Sequence, residues 1–96
     1  MLLIKPEETE LQGFWIDLGS KVTPDSHWER ILQLSSEYME MLATGGDGAE
    51  KLYRDPADGR LWELVPVDPR IPAGPPLLQV ISQSRAKEKY SVKLTL

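Results

Sequence analysis

The sequence predicts an α+β domain: a small, mostly antiparallel sheet with one long amphipathic helix packed on a face and a short C-terminal helix. Three patterns predict it: an apolar stripe of helical spacing over residues 25–43, a hairpin signal over 50–65, and a strand followed by a short helix over 77–90. Because 96 residues leave room for one hydrophobic core, we expect a single domain over residues 1–96.

The first strand is predicted over roughly residues 10–17, where aromatic and β-branched side chains are dense. Gly13 lies inside this strand and marks either a bulge or a close backbone contact. Gly19 and Ser20 then predict a turn.

The long helix is predicted over residues 25–43. Two starts fit: Thr23 as the N-cap with Pro24 at the first helical position, or Ser26 with Glu29 as a capping box. Glycines 45 and 46 predict its end, because glycine tolerates the left-handed conformation that closes a helix. The residues that recur at the spacing of one buried stripe are Trp28, Ile31, Leu32, Ser35, Tyr38, Met39 and Leu42.

A hairpin is predicted from strands 50–54 and 60–65 around a turn at 55–59. Pro56 fixes φ early in that turn and Gly59 supplies a positive φ. The rigid aromatics Tyr53 and Trp62 are predicted on the core side. Of the three tryptophans (Trp15, Trp28 and Trp62), we expect at least two in the core.

The C-terminal third begins with a connection and ends with a helix. Residues 66–76 contain five prolines and are predicted to be an ordered connection, partly polyproline II. A strand over 77–81 follows, and either Ser82 or Ser84 then caps a short helix through residues 85–90. Residues 92–96 alternate in polarity and form either a final edge strand or a loose tail.

Cysteine usage and hydropathy predict the compartment. The chain has no cysteine, which excludes disulfides and cysteine-ligated zinc and favours a reducing cytoplasm. Residues 1–6 are too short and too soon charged to be a signal peptide, and no apolar run approaches the roughly 20 residues that cross a bilayer. We expect a soluble cytoplasmic protein without a membrane partner.

Charge is unevenly distributed along the chain. Residues 1–81 hold 7 basic and 14 acidic groups, a net charge of −7, whereas residues 82–96 hold 4 basic groups and 1 acidic group, a net of +3, which sum to −4. An acidic chain is a poor candidate for nucleic-acid binding, which needs a basic surface. The acidic excess fits a basic protein partner and fits simple solubility equally well.

No pattern in the sequence indicates catalysis, a cofactor or a metal. The single imidazole, His27, directly follows Ser26, and neighbours on a helix point about 100° apart, so the two cannot form a catalytic pair. The hairpin turn faintly resembles a calcium-binding loop because it contains Asp55, Asp58 and Gly59, but the spacing of these residues fits a turn better. We therefore predict no catalytic residues, no metal, no cofactor and no small-molecule substrate.

Three stretches of the chain together match the pattern of a known family. The first is residues 3–11 with Gly13 and Trp15, the second is residues 51–64, which read KLYRDPADGRLWEL, and the third is residues 74–77 followed by a helix that ends at Lys89 and Tyr90. They resemble the opening, the most distinctive block and the later layout of the immunity protein 27 family of bacterial polymorphic toxin systems, so that the resemblance covers roughly residues 1–90. The resemblance implies a cytoplasmic antidote that binds a cognate toxin stoichiometrically and neutralises it by occlusion.

Three function hypotheses follow, in order of preference. The first is this toxin-binding immunity protein, the second a general protein-interaction or adaptor domain without a toxin, and the third a small enzyme using scattered carboxylates. A deep pocket holding carboxylates of strongly perturbed pKa would favour the third. For the first, we expect the partner to contact acidic side chains on the exposed side of the helix and on the hairpin turn: Glu29, Glu37, Glu40, Asp55 and Asp58.

Overall fold

Three short strands, a helix, four further strands and a second helix follow one another in the computed structural model, which describes residues 3–45 and 48–90. The helices are α1 (Ser26–Gln33), which continues into a π-helical turn (Leu34–Tyr38), and α2 (Gln83–Tyr90). The strands are β1 (Glu10–Gln12), β2 (Trp15–Asp17), β3 (Val22–Pro24), β4 (Glu40–Gly45), β5 (Glu50–Arg54), β6 (Leu61–Pro66) and β7 (Pro76–Ile81).

Five strands form one antiparallel sheet in the order β1-β7-β6-β5-β4, and β2 pairs with β3 in a separate two-stranded sheet. The α+β class is thus confirmed, but the helix is shorter than predicted.

The two helices cover opposite faces of the five-stranded sheet. Neighbouring residues of a strand point to opposite faces, and on β6 Trp62 belongs to one apolar cluster and Leu61 to the other. The cluster under α1 contains Leu11, Ile31, Leu34, Met39, Tyr53, Trp62 and Leu78. The cluster under α2 contains Leu52, Leu61, Ile81, Ala86 and Tyr90.

The predicted end of the long helix is wrong, because residues 40–45 are strand β4. The helix stops where Met39 donates its N–H to the carbonyl of Leu34 (2.7 Å) and turns extended, with ψ at 151°. Met39 packs in the cluster under α1, whereas Leu42 packs against the cluster under α2, which one helical stripe could not do. Pairing with β5 over Glu40–Gly45 therefore overrides the helical pattern.

Asp25 is the N-cap of α1, instead of the predicted Thr23 or Ser26. Its Oδ1 accepts the N–H of Trp28 (2.9 Å), which satisfies one of the free donors of the first turn. The same oxygen accepts the N–H of Phe14 (3.1 Å), and the Asp25 N–H donates to the Phe14 carbonyl (3.0 Å). The start of the helix is thereby tied to the segment that follows β1.

The strand predicted over 10–17 is divided at Gly13 into β1 and β2, which belong to different sheets. A Cβ on Gly13 would lie 2.8 Å from Pro76 Cδ and 2.9 Å from Trp28 Cβ, so the predicted close backbone contact is confirmed. After the turn at Gly19, whose φ is +87°, β3 returns antiparallel to β2. We call residues 14–24, which comprise Phe14, β2, this turn and β3, the arm.

The hairpin β5–β6 is confirmed, with Gly59 at a φ of +76° and both Tyr53 and Trp62 buried. Trp28 is also buried and Trp15 is half exposed, so two tryptophans lie in the core, as predicted.

The connection between β6 and β7 is ordered, and it contains two successive turns closed at Ile71 and Gly74. Ser82, directly before α2, is its N-cap, because the Ser82 Oγ accepts the N–H of Arg85 (3.2 Å). The alternatives stated for residues 92–96 lie outside the described residues.

Candidate partner-binding surface

Four of the five predicted contact residues are exposed, but they do not lie on one helix. Glu29 is in the first turn of α1 and Glu37 in the π-helical turn, whereas Glu40 opens strand β4 and Asp58 lies in the β5–β6 turn. Glu40 stands opposite Arg54, the last residue of β5, so Glu37, Glu40 and the turn lie toward one end of the sheet. Glu29 lies about two helical turns away.

Asp55 is buried, 1% exposed, and its predicted place on the contact surface is wrong. Its Oδ1 accepts the hydroxyl of Tyr38 (2.7 Å) and the N–H of Ala57 (2.9 Å). The carboxylate raises the pKa of Tyr38 by accepting that hydrogen bond, and burial adds to the effect. Asp55 thus connects the β5–β6 turn to the end of the helix. Its role is structural, as the interpretation of residues 55–59 as a turn predicts.

Two of the exposed carboxylates already have cationic partners. Arg54 pairs with Glu40, and Arg60 Nε donates to Asp58 Oδ2 at 2.7 Å. Among the described residues, neither Glu29 nor Glu37 forms such a pair. Glu29 and Glu37 therefore present the least neutralised charge of the predicted set.

A polar cluster that the sequence analysis missed lies under α2. Glu63, 4% exposed, accepts hydrogen bonds at Oε2 from Lys89 Nζ (2.5 Å) and the Tyr90 hydroxyl (2.8 Å), and at Oε1 from Gln79 Nε2 (3.2 Å). Lys89 Nζ also binds Glu50 Oε2 at 2.7 Å. The cluster borders a cleft of about 600 Å³ between α2 and strands β6 and β7.

The two buried titratable groups beside this cleft have shifted pKa values. Burial raises the pKa of Glu63, but the hydrogen bonds from Lys89, Tyr90 and Gln79 outweigh it and hold the pKa below its ordinary value. Burial and the hydrogen bond to Glu63 raise the pKa of Tyr90. A general acid or base works best with a pKa near the operating pH, and these shifts move both groups away from it. The cluster anchors α2 to the sheet.

Residues 3–45 and 48–90 contain no cluster of histidine, aspartate and glutamate arranged to hold a metal ion. Within the same ranges no helix has the length and apolarity needed to cross a bilayer.

Most of the chain matches a known protein family. The model of the immunity protein 27 family matches residues 17–82, which is 66 of the 96 residues, and this stretch runs from the arm to the start of α2. No curated protein and no solved structure matches the chain.

Proposed function

Because the chain belongs to the immunity protein 27 family, we propose that it is the antidote of a bacterial polymorphic toxin system. It acts in the cytoplasm of the producing cell, where it binds its cognate toxin stoichiometrically and covers the toxin's active site or substrate path. The family match over residues 17–82 carries this proposal. The acidic charge of the chain, −4, supports a basic partner.

The complex must outcompete a lethal activity, so we expect a nanomolar or tighter Kd, about −12 kcal/mol. A standard interface takes about 800 Å² from each partner. The described surface is 6160 Å², so such an interface would occupy roughly one eighth of it.

Exposed carboxylates steer the toxin toward this surface in the proposed mechanism. Glu29, Glu37, Glu40 and Asp58 serve this role, and Glu29 and Glu37 contribute most because the other two are paired with arginines. Opposite potentials raise the association rate and make it depend on salt.

The experiment co-expresses the chain with the toxin encoded beside its gene and measures survival, then measures binding to a catalytically inactivated form of that toxin. The wild type is expected to restore growth and to form a one-to-one complex. Growth arrest despite expression, together with no complex, would contradict the proposal and favour the adaptor hypothesis. Turnover of a metabolite by the purified protein alone would favour the enzyme.

The steering role is tested by Glu37→Lys, with Glu88→Lys on α2 as the matched control, since both reverse one exposed helical carboxylate. We expect Glu37→Lys to slow association about tenfold at low salt and to flatten its salt dependence, while Glu88→Lys leaves both unchanged. Equal association rates for the two variants would remove the acidic residues of the α1 side from the mechanism.

A further inference from the structure

The arm exposes an unusual amount of apolar surface for so small a protein. Its five large apolar side chains are Phe14 (51% exposed), Trp15 (53%), Ile16 (39%), Leu18 (56%) and Val22 (57%). Together with Leu32 of α1, these side chains offer on the order of 500 Å². That area is more than half of what one partner contributes to a standard interface, about 800 Å². Clustered exposed apolar side chains of this extent mark interaction sites in soluble proteins.

Both faces of the arm are open to solvent. Alternation along β2 places Ile16 on one face and Trp15 and Asp17 on the other, and Val22, paired with Asp17, shares the second face. A two-stranded sheet whose faces are mostly uncovered is only marginally stable in water. The arm's own side chains therefore contribute little to its stability.

Contacts at its base nevertheless hold the arm in one orientation. The rings of Trp15 and Trp28 meet edge to face with centroids 4.7 Å apart. Asp25 binds the backbone of Phe14 in both directions, at 3.0 and 3.1 Å. A preordered apolar element loses little conformational entropy when a partner covers it.

The apolar surface continues from the arm into a groove beside α1. Trp28, which contacts Trp15, lines this groove of about 260 Å³ together with Leu32, Leu64, Pro72 and Pro76. Leu32 is 52% exposed. The contact between Trp15 and Trp28 therefore connects one face of the arm to the groove.

We propose that the arm and the adjoining groove bind the toxin, and that the toxin's complementary surface is an apolar cleft with a basic rim. The inference rests on the proposed function and names the surface that performs it. The arm enters the cleft with Phe14, Ile16 and Leu18, while the exposed carboxylate of Glu29, in the first turn of α1, faces the rim.

The local charge favours a basic partner over a second copy of this chain. Residues 14–29, which contain the arm and the first turn of α1, hold 3 acidic groups and 1 basic group, a net charge of −2. A symmetric dimer through the arm would place this acidic surface against itself, because a two-fold interface brings the same patch from both copies together. Like charges in contact oppose such a dimer.

The test compares Phe14→Ser/Leu18→Ser with Met41→Ser, which removes a side chain as exposed as Leu18 (57% against 56%) at the β4 edge of the sheet. The probe is the inactivated toxin encoded beside the gene. We expect the arm variant to raise Kd about a hundredfold, mainly through faster dissociation, and to keep the wild-type Tm; Met41→Ser keeps the wild-type Kd. In the complex, the amides of residues 14–24 gain protection from hydrogen exchange, whereas those of Gln83–Tyr90 do not.

Three outcomes would overturn the inference in distinguishable ways. If the wild type does not bind the toxin, the proposed function fails and the inference falls with it. If the wild type binds and the arm variant binds with the same Kd, the inference alone fails. If light scattering shows a wild-type dimer that the arm variant abolishes while toxin affinity is unchanged, the arm joins two copies of this chain.

Discussion

Replacing Lys89 with methionine removes the cation that neutralises the buried carboxylate of Glu63. Removing one partner of a buried ion pair costs about 3–5 kcal/mol. The Lys89 side chain is 30% exposed, so water replaces part of the lost interaction, and Tyr90 and Gln79 still donate to Glu63. We therefore expect the free energy of unfolding to fall by about 2 kcal/mol at pH 7. For a domain of this size the loss lowers Tm by about 10 °C.

The assay is thermal unfolding followed by circular dichroism, with Lys87→Met as the matched control. Lys87 lies two residues earlier on α2 and is exposed, so that variant loses the same charge without uncovering a buried carboxylate. We expect its Tm to stay within about 2 °C of the wild type, as is usual for a surface change.

The dependence on pH supplies a second check on the same variant. The folded pKa of Glu63 lies below its ordinary value, so the stability from its charged form is present above the unfolded pKa of about 4.3 and is lost as the pH falls through the folded pKa. Without Lys89 the pKa of Glu63 rises, and protonation then relieves the uncompensated buried charge. The Tm gap between wild type and Lys89→Met therefore narrows as the pH falls through the raised pKa of Glu63 in the variant and on toward its lower pKa in the wild type. Equal Tm values for the two lysine variants at pH 7, or a gap that stays constant down to pH 3, would refute the reasoning.

Two further predictions concern packing. Gly13→Ala should lower the free energy of unfolding by about 1–3 kcal/mol in urea, since the added Cβ would meet Pro76 and Trp28 below 3.0 Å, and wild-type stability would disprove that close approach. Trp62→Ala should cost about 3–5 kcal/mol because the ring is fully buried, and Trp15→Ala less than about 1.5 kcal/mol because it loses mainly its edge contact with Trp28; similar losses for both would contradict the core assignment.

The elements predicted correctly are those whose signals are local. The β5–β6 hairpin carries its turn residues and its alternating strands within residues 50–66, and the structure confirms both. The end of α1 was predicted wrongly because Tyr38, Met39 and Leu42 suit a helical stripe as well as a strand that faces two layers. Pairing with β5 decides between them, and a strand pairing between separate segments is not visible in a local window.

The residues of the candidate surface also divide into those whose positions have a local signal in the sequence and those whose positions depend on distant residues. Nothing near Asp55 in the sequence indicates that Tyr38, 17 residues away, buries it, and Glu63 meets Tyr90 over 27 residues. The arm did carry a local signal. Phe14, Trp15 and Ile16 are consecutive, so an extended chain must direct them to both faces, and only one face of an ordinary surface strand meets a core. That run was interpreted only as part of a strand, whereas all three side chains are exposed.

One carboxylate oxygen of Asp25 accepts hydrogen bonds from both the arm and α1, and this limits which residues of the protein can be substituted during evolution. The carboxylate is needed both to begin α1 and to orient the arm, so position 25 is constrained by folding. The outward side chains of residues 14–22 contribute little to the core and can be exchanged at small expense in stability. A lineage of such chains could therefore acquire new binding preferences at the tip while one anchoring carboxylate stays the same.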